Sequence, residues 1–168
     1  MVAHGRKGLG VAALAAAVLV IACQPQTDYA ASMQPTVDAL VDAWNTGNLD
    51  QLDGVVAADF RRRAPGAEMV EGIDGFKEVI RNFRTAYPDL RLVLNDAYYQ
   101  ENMAFVRWTF TGTNTGAGDM PPTGKAVENS GFTALHFEDG MYTFEDVYFD
   151  QLPWMEQLGY TLVPPTTM

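Results

Sequence analysis

Hydrophobic periodicity changes once along this chain, at Pro88, and that change constrains the fold more than any other feature. Before it, apolar residues recur at helical spacing. Val37, Leu40, Val41 and Trp44 share one face, and so do Phe76, Val79, Ile80, Phe83 and Tyr87. Pro35 suits a first helical position and Gly47 a helix end, so a helix is expected between them. Asn48 can cap a second, shorter helix that turns Leu49, Leu52, Val55 and Val56 inward, with Asp59–Arg62 leaving it as a short strand. A third helix is expected from Ile73 to Tyr87, closed by Pro88.

Beyond Pro88 the pattern is that of strands. Leu90, Leu92 and Leu94 alternate, Glu101-Asn102 offers a turn, and Ala104, Val106, Trp108 and Phe110 alternate again up to Gly112. Thr113 to Gly124, rich in glycine and proline, reads as a loop. Phe132–Phe137 and Met141–Phe149 flank Glu138-Asp139-Gly140, which fits a three-residue hairpin loop. Helices first and an antiparallel sheet afterwards predict an α+β domain. The only cysteine is Cys23, so no disulfide can be formed within the chain and the domain must stand on its core.

The N-terminus reads as an address. His4, Arg6 and Lys7 precede an apolar run from Leu9 to Ala22, too short to span a bilayer comfortably but proportioned like a secretory signal. Its ending, Val20-Ile21-Ala22-Cys23, resembles the bacterial lipobox, which implies lipidation of Cys23 and a lipid-anchored protein of the cell envelope, facing the periplasm or exterior. The expected organisation is a signal over 1–22, a flexible tether over 23–33, the domain over 34–162 and a tail over 163–168. Removing the signal takes Arg6 and Lys7 from the 11 basic residues and leaves 9 against 21 acidic ones, a net charge of −12. A surface of that sign repels phosphate backbones, which argues against nucleic acid as a partner.

The hairpin gives an expectation about faces. If Phe137 opposes Met141, Thr133 lies opposite Glu145 and Gly131 opposite Val147. One face then carries Gly131, Thr133, Leu135, Phe137, Thr143, Glu145, Val147 and Phe149. The other carries Phe132, Ala134, His136, Tyr142, Phe144, Asp146, Tyr148 and Asp150. Both faces are half apolar, so helices should cover one and a second subunit is expected on the other.

Several segments match a known pattern in order and spacing: Asn45-Thr46-Gly47-Asn48-Leu49-Asp50, Gly75-Phe76-Lys77, Phe83-Arg84-Thr85-Ala86-Tyr87-Pro88-Asp89-Leu90, Arg107-Trp108-Thr109-Phe110-Thr111-Gly112-Thr113, Pro121-Pro122-Thr123-Gly124-Lys125 and Gln157-Leu158-Gly159. Over roughly residues 37 to 160 the chain resembles the SnoaL-like polyketide cyclases, also called ester cyclases. The resemblance implies the cone-like α+β fold of nuclear transport factor 2 and ketosteroid isomerase, a curved antiparallel sheet packed around three N-terminal helices to leave an apolar pocket. It also implies a homodimer through the outer sheet face, and a reaction that needs neither metal nor cofactor.

The residues that carry the family's chemistry are altered. Catalytic members show Glu-x-Trp-Asp-x-x-Asp on the last strand, whereas this strand reads Glu145-Asp146-Val147-Tyr148-Phe149-Asp150. Counting back from Gln157-Leu158-Gly159 puts Val147 at the catalytic aspartate and Asp150 at the second one. The family's histidine position falls on Thr133, and its polar residue beside a proline becomes Arg62 or Arg63. Valine cannot deprotonate a carbon next to a carbonyl. Glu145 and Asp146 remain as catalytic candidates. Glu145 shares the face of Val147 and can instead pair with Arg62 or Arg107, whereas Asp146 would need a bulge near Gly131 or Val147 to turn inward. A carboxylate enclosed by apolar walls has its pKa raised toward general-base use.

Arg62, Trp108, Thr133, Leu135, Val147 and Phe149 are the expected pocket wall, and His136 reads as a polar residue near solvent. No His/Asp/Glu cluster has metal-ligand spacing, no Gly-rich phosphate loop follows a strand, and no nucleophile elbow is present. The residues thus read as a membrane-tethered domain that binds a small hydrophobic molecule with the family's cyclase site incomplete. The alternatives are a cofactor-free cyclase or isomerase acting on a hydrophobic carbonyl compound, and a structural domain whose cone is filled.

Overall fold

Two antiparallel hairpins supply most of the sheet, and their long strands fix the concave surface on which everything else sits. In the computed structural model, residues 28–164 are described. The signal segment, Cys23 and the start of the expected tether lie outside them. The chain forms helix α1 (Tyr29–Thr46), strands β1 (Val56–Arg63) and β2 (Val70–Glu71), and helix α2 (Gly72–Ala86). Strands β3 (Arg91–Gln100), β4 (Met103–Thr113), β5 (Ala126–Glu138) and β6 (Met141–Phe149) follow, then helix α3 (Gln151–Leu158). The curved six-stranded sheet has the order β2-β1-β6-β5-β4-β3; every pair is antiparallel except β1 and β6, which run parallel. Helix α1 packs on β3, α2 on β1 and α3 on β5.

The α+β cone is the expected architecture, with four local corrections. Helix α1 begins at Tyr29, capped by the Asp28 carboxylate, so Pro35 lies inside it and residues 29–33 of the expected tether are helical. Met33, 2% exposed, extends the apolar face of Val37 and Leu40 by one turn, which offsets the backbone donor that Pro35 lacks. The expected second helix is only a 3₁₀ turn at Asp50–Leu52, because Gly54 and the β-branched pair Val55-Val56 turn the chain into β1. The third helix is C-terminal. Asp150 caps α3 through the Leu152 N–H, and Gly159 ends it in the left-handed conformation. Finally, the parallel β1–β6 pair makes the sheet mixed.

The β5–β6 hairpin differs from its expected register in an instructive way. The turn has two residues, Asp139 and Gly140, both at positive φ, as a type I′ turn requires. That places Phe137 opposite Tyr142. An extra residue, Thr143, then bulges out, so that His136 faces Phe144, Leu135 faces Glu145 and Thr133 faces Val147. The expected partner of Thr133 was Glu145, two residues away, and a shift of two leaves each face unchanged beyond the bulge. Before it the faces differ: Tyr142, expected outside, is fully buried in the core. Residues three apart on a regular strand point to opposite faces, so only the bulge lets Tyr142 and Glu145 both point inward.

The core has two parts. The larger gathers Val37, Leu40, Phe60, Phe76, Ile80 and Tyr142; the smaller gathers Tyr87, Leu90, Phe110, Val127 and Leu158. Trp44 and Trp108 pack against both. Among the described residues no helix is long and apolar enough to cross a membrane.

Candidate functional site

Between α1, α2 and the concave sheet lies a cavity of about 110 Å³. Arg62, Trp108, Thr133, Leu135, Val147 and Phe149 all contribute to its wall, and so does Glu145. Alternation places them there: Arg62 follows buried Phe60 by two on β1, while Thr133 and Leu135 on β5 stand beside Glu145, Val147 and Phe149 on β6. Trp108 reaches across Gly131, its cross-strand partner. A Cβ at position 131 would lie 2.2 Å from the indole ring, so only glycine leaves room for it. The indole N–H then donates to Thr133 Oγ1 at 2.9 Å.

The helical wall was less visible in the sequence. Val41 and Trp44 from α1, Phe76 and Phe83 from α2, and Trp154 from α3 add to the lining. Trp154 stacks near Phe83, with centroids 5.9 Å apart, and donates its indole N–H to Tyr87 Oη at 3.1 Å. Helical periodicity marked the first four as buried; it does not distinguish a core residue from one that faces a void. All three tryptophans of the chain line this one cavity.

Two polar residues of the wall, Arg62 and Glu145, belong to a buried triad that Tyr142 completes from the core. Arg62 and Glu145 are neighbours across β1 and β6, with side chains each 9% exposed and Nε 3.0 Å from Oε1. The Nε–H does not point at that oxygen, so the charges attract at contact distance while Nε itself is buried without a hydrogen bond. The other carboxylate oxygen, Oε2, accepts the phenol of Tyr142. Burial, and then the neighbouring Glu145 carboxylate, hold the Tyr142 phenol well above the usual tyrosine range, so it stays a donor.

Asp146 is not part of this site. The expected rescue of its orientation, a bulge near Gly131 or Val147, does not occur: the bulge sits at Thr143, and Asp146 faces outward onto Arg63. Arg107, the other expected partner for Glu145, instead binds Asp96 on the exposed face. His136 lies on that face too, its ring 5.2 Å from Phe144, and Asp150 is engaged in capping α3. No group of three or more metal-ligating side chains occurs among the described residues.

A second, larger cleft of about 500 Å³ opens outside the first, between the segment after β1, α2, the β4–β5 loop and α3. Arg62, Phe83, Phe149 and Trp154 line both spaces and so form the throat between them.

This architecture recurs in solved structures. TsrD from Streptomyces laurentii is 28% identical with a TM-score of 0.70, covering 77% of this chain and 96% of its own. A SnoaL-like candidate polyketide cyclase from Jannaschia sp. CCS1 is 22% identical with a TM-score of 0.73, covering 84% of this chain and 99% of its own, a likeness of fold. A candidate polyketide cyclase from Bacillus cereus ATCC 10987 is 25% identical with a TM-score of 0.64, covering 76% and 80%. No curated protein matches the chain. The sequence profile of the SnoaL-like polyketide cyclases matches residues 34–158, and with the cone and its apolar cavity in place, the chain belongs to that family.

Proposed function

We propose that this SnoaL-like domain binds a small hydrophobic molecule in its cone and lacks the family's complete cyclase site. One observation carries the reading: among the described residues that line the inner cavity, the ionisable groups are Arg62 and Glu145, and they are held against each other. A carboxylate committed to a guanidinium and a phenol is a poor base for a carbon acid, while apolar walls favour an apolar guest. The position matching the catalytic aspartate is Val147, which adds a methyl-lined surface where the family places a charge.

Butylbenzene is a direct probe, because the three tryptophans report on the cavity. Titration should change their fluorescence saturably. Val147→Asp should weaken that binding at least about tenfold, since a buried carboxylate must be desolvated by the guest. Absence of saturable binding in the wild type would remove the reading. Glu145 facing the cavity favours a second reading, a cofactor-free cyclase or isomerase of a hydrophobic carbonyl compound. Turnover of such a compound that Glu145→Gln abolishes in a folded domain would install it.

We further propose that Cys23 carries lipid that tethers the domain to the bacterial envelope, and that two copies pair through the outer sheet face. The lipobox-like Val20-Ile21-Ala22-Cys23 supports the first, and exposed Tyr98, Phe132 and Tyr148 support the second. Detergent partitioning with the mass of lipid on Cys23, and a Cys23→Ser variant that is released or stays unprocessed, read out the first, and sedimentation at the mass of a dimer the second; a wild-type protein that stays out of detergent, or sediments as a monomer, refutes them.

A further inference from the structure

Arg62 carries more than a structural ion pair. Its side chain is nine-tenths buried, it stands at the throat shared by the inner cavity and the outer cleft, and its Nε–H has no acceptor. A buried donor without a partner is costly, and a ligand that supplies an acceptor recovers that cost. Glu145 does not meet the need: one of its oxygens lies out of line with the N–H and the other is taken by Tyr142.

Charge and size then narrow the ligand. The ionisable acids along the two spaces are Glu145, Glu68 and Asp119, against Arg62 as the base, in a chain of net charge −10. An anion would be repelled and would have to be desolvated beside Glu145. A cation would meet the guanidinium. A neutral oxygen acceptor takes a hydrogen bond from the guanidinium at no charge cost. The inner cavity of about 110 Å³ is smaller than the roughly 150 Å³ engineered void that holds benzene, so it takes a short alkyl group. The outer cleft of about 500 Å³ offers Tyr87, Trp154, Met120 and Met155 to a larger apolar body.

Resting on the reading of this site as a binding pocket, we propose that Arg62 is a hydrogen-bond hook for the carbonyl oxygen of a neutral two-part ligand. Its short alkyl end enters the inner cavity, the carbonyl sits at the throat on Arg62, and an aromatic or longer apolar body lies in the outer cleft. The matching carboxylates are rejected.

Three probes test this by tryptophan fluorescence: butyrophenone, butylbenzene and 4-phenylbutyrate. Butyrophenone differs from butylbenzene by a carbonyl in place of one methylene, so their affinity ratio isolates the hook. Wild type should prefer butyrophenone over butylbenzene about tenfold and bind 4-phenylbutyrate weakest. The double variant Arg62→Met with Glu145→Gln, which leaves no lone buried charge, should bring the ratio to about one; a thermal melt confirms that it folds. Should the double variant not fold, Arg62→Lys, which keeps the charge but moves the donor, should still lower the ratio. Butylbenzene binding as tightly as butyrophenone to the wild type would sink the hook and leave the apolar pocket standing. No binding of either would sink both. Tightest binding of 4-phenylbutyrate would overturn the charge argument, and a ketone preference surviving in the variants would assign the hook elsewhere.

Discussion

Two ion pairs lie on adjacent rungs of the β1–β6 ladder, Arg62 with Glu145 and Arg63 with Asp146, and alternation sends the first into the cone and the second out of it. The outer pair has the better geometry. Arg63 grips Asp146 with two nitrogens, one at 2.7 Å, while Arg62 merely approaches Glu145 at 3.0 Å out of line. Yet Arg63 is 59% exposed against 14% for Asp146, so water answers for the arginine once the aspartate is removed. Nothing replaces a partner inside. Fit between two charges is therefore a poor guide to what their separation costs; access to solvent is the better one.

The largest test of that contrast is Glu145→Ala, which strands the buried guanidinium. It should cost about 3–5 kcal/mol in urea unfolding, and a loss no greater than that of the outer pair would erase the distinction. Tyr142→Phe comes next, removing a hydrogen bond to a buried carboxylate worth roughly 1.5–3 kcal/mol. Its pH dependence has a definite sign. Because the folded state holds the Tyr142 proton above the unfolded value of about 10, stability is complete below that pH and declines as pH rises past it. The gap between wild type and Tyr142→Phe should thus hold through neutral pH and narrow in urea melts above about pH 10. Smallest is Asp146→Ala, whose effect on the unfolding midpoint should be slight and fade further with added salt; a salt-independent loss approaching that of Glu145→Ala would show the outer rung to be shielded after all.

Alternation and helical spacing made the inner face legible in advance, and six expected wall residues do line the cavity. They were legible because period-two burial survives an even error in register: Thr133 was matched to Glu145 instead of Val147 without changing which way either points. Tyr142 was lost for the same reason in reverse. A bulge leaves no compositional mark at Thr143, so the residue before it was assigned to the wrong face. The α3 contribution was missed because an eight-residue helix with Pro153 in its first turn has little periodicity, although Asp150 and Gly159 bracket it with a cap at each end. Tyr29 and Met33 preceded a proline that reads as a helix start, and burial of Met33 overrode that signal.

The bulge also makes the hairpin forgiving of length. Thr143 is a spare residue: without it, Tyr142 and Phe144 become neighbours, Phe144 still meets His136, and every side chain from Glu145 onward keeps its direction. Flattening the bulge while keeping the residue does the opposite, exchanging Glu145, Val147 and Phe149 for Asp146 and Tyr148 on the inner wall. Loss of one amino acid here is thus structurally silent, whereas a slip of the intact strand would present an aspartate opposite Thr133. Relatives that differ by a single deletion in this hairpin can share one interior, and alignments drawn through it need a gap at the bulge before any carboxylate is assigned a place.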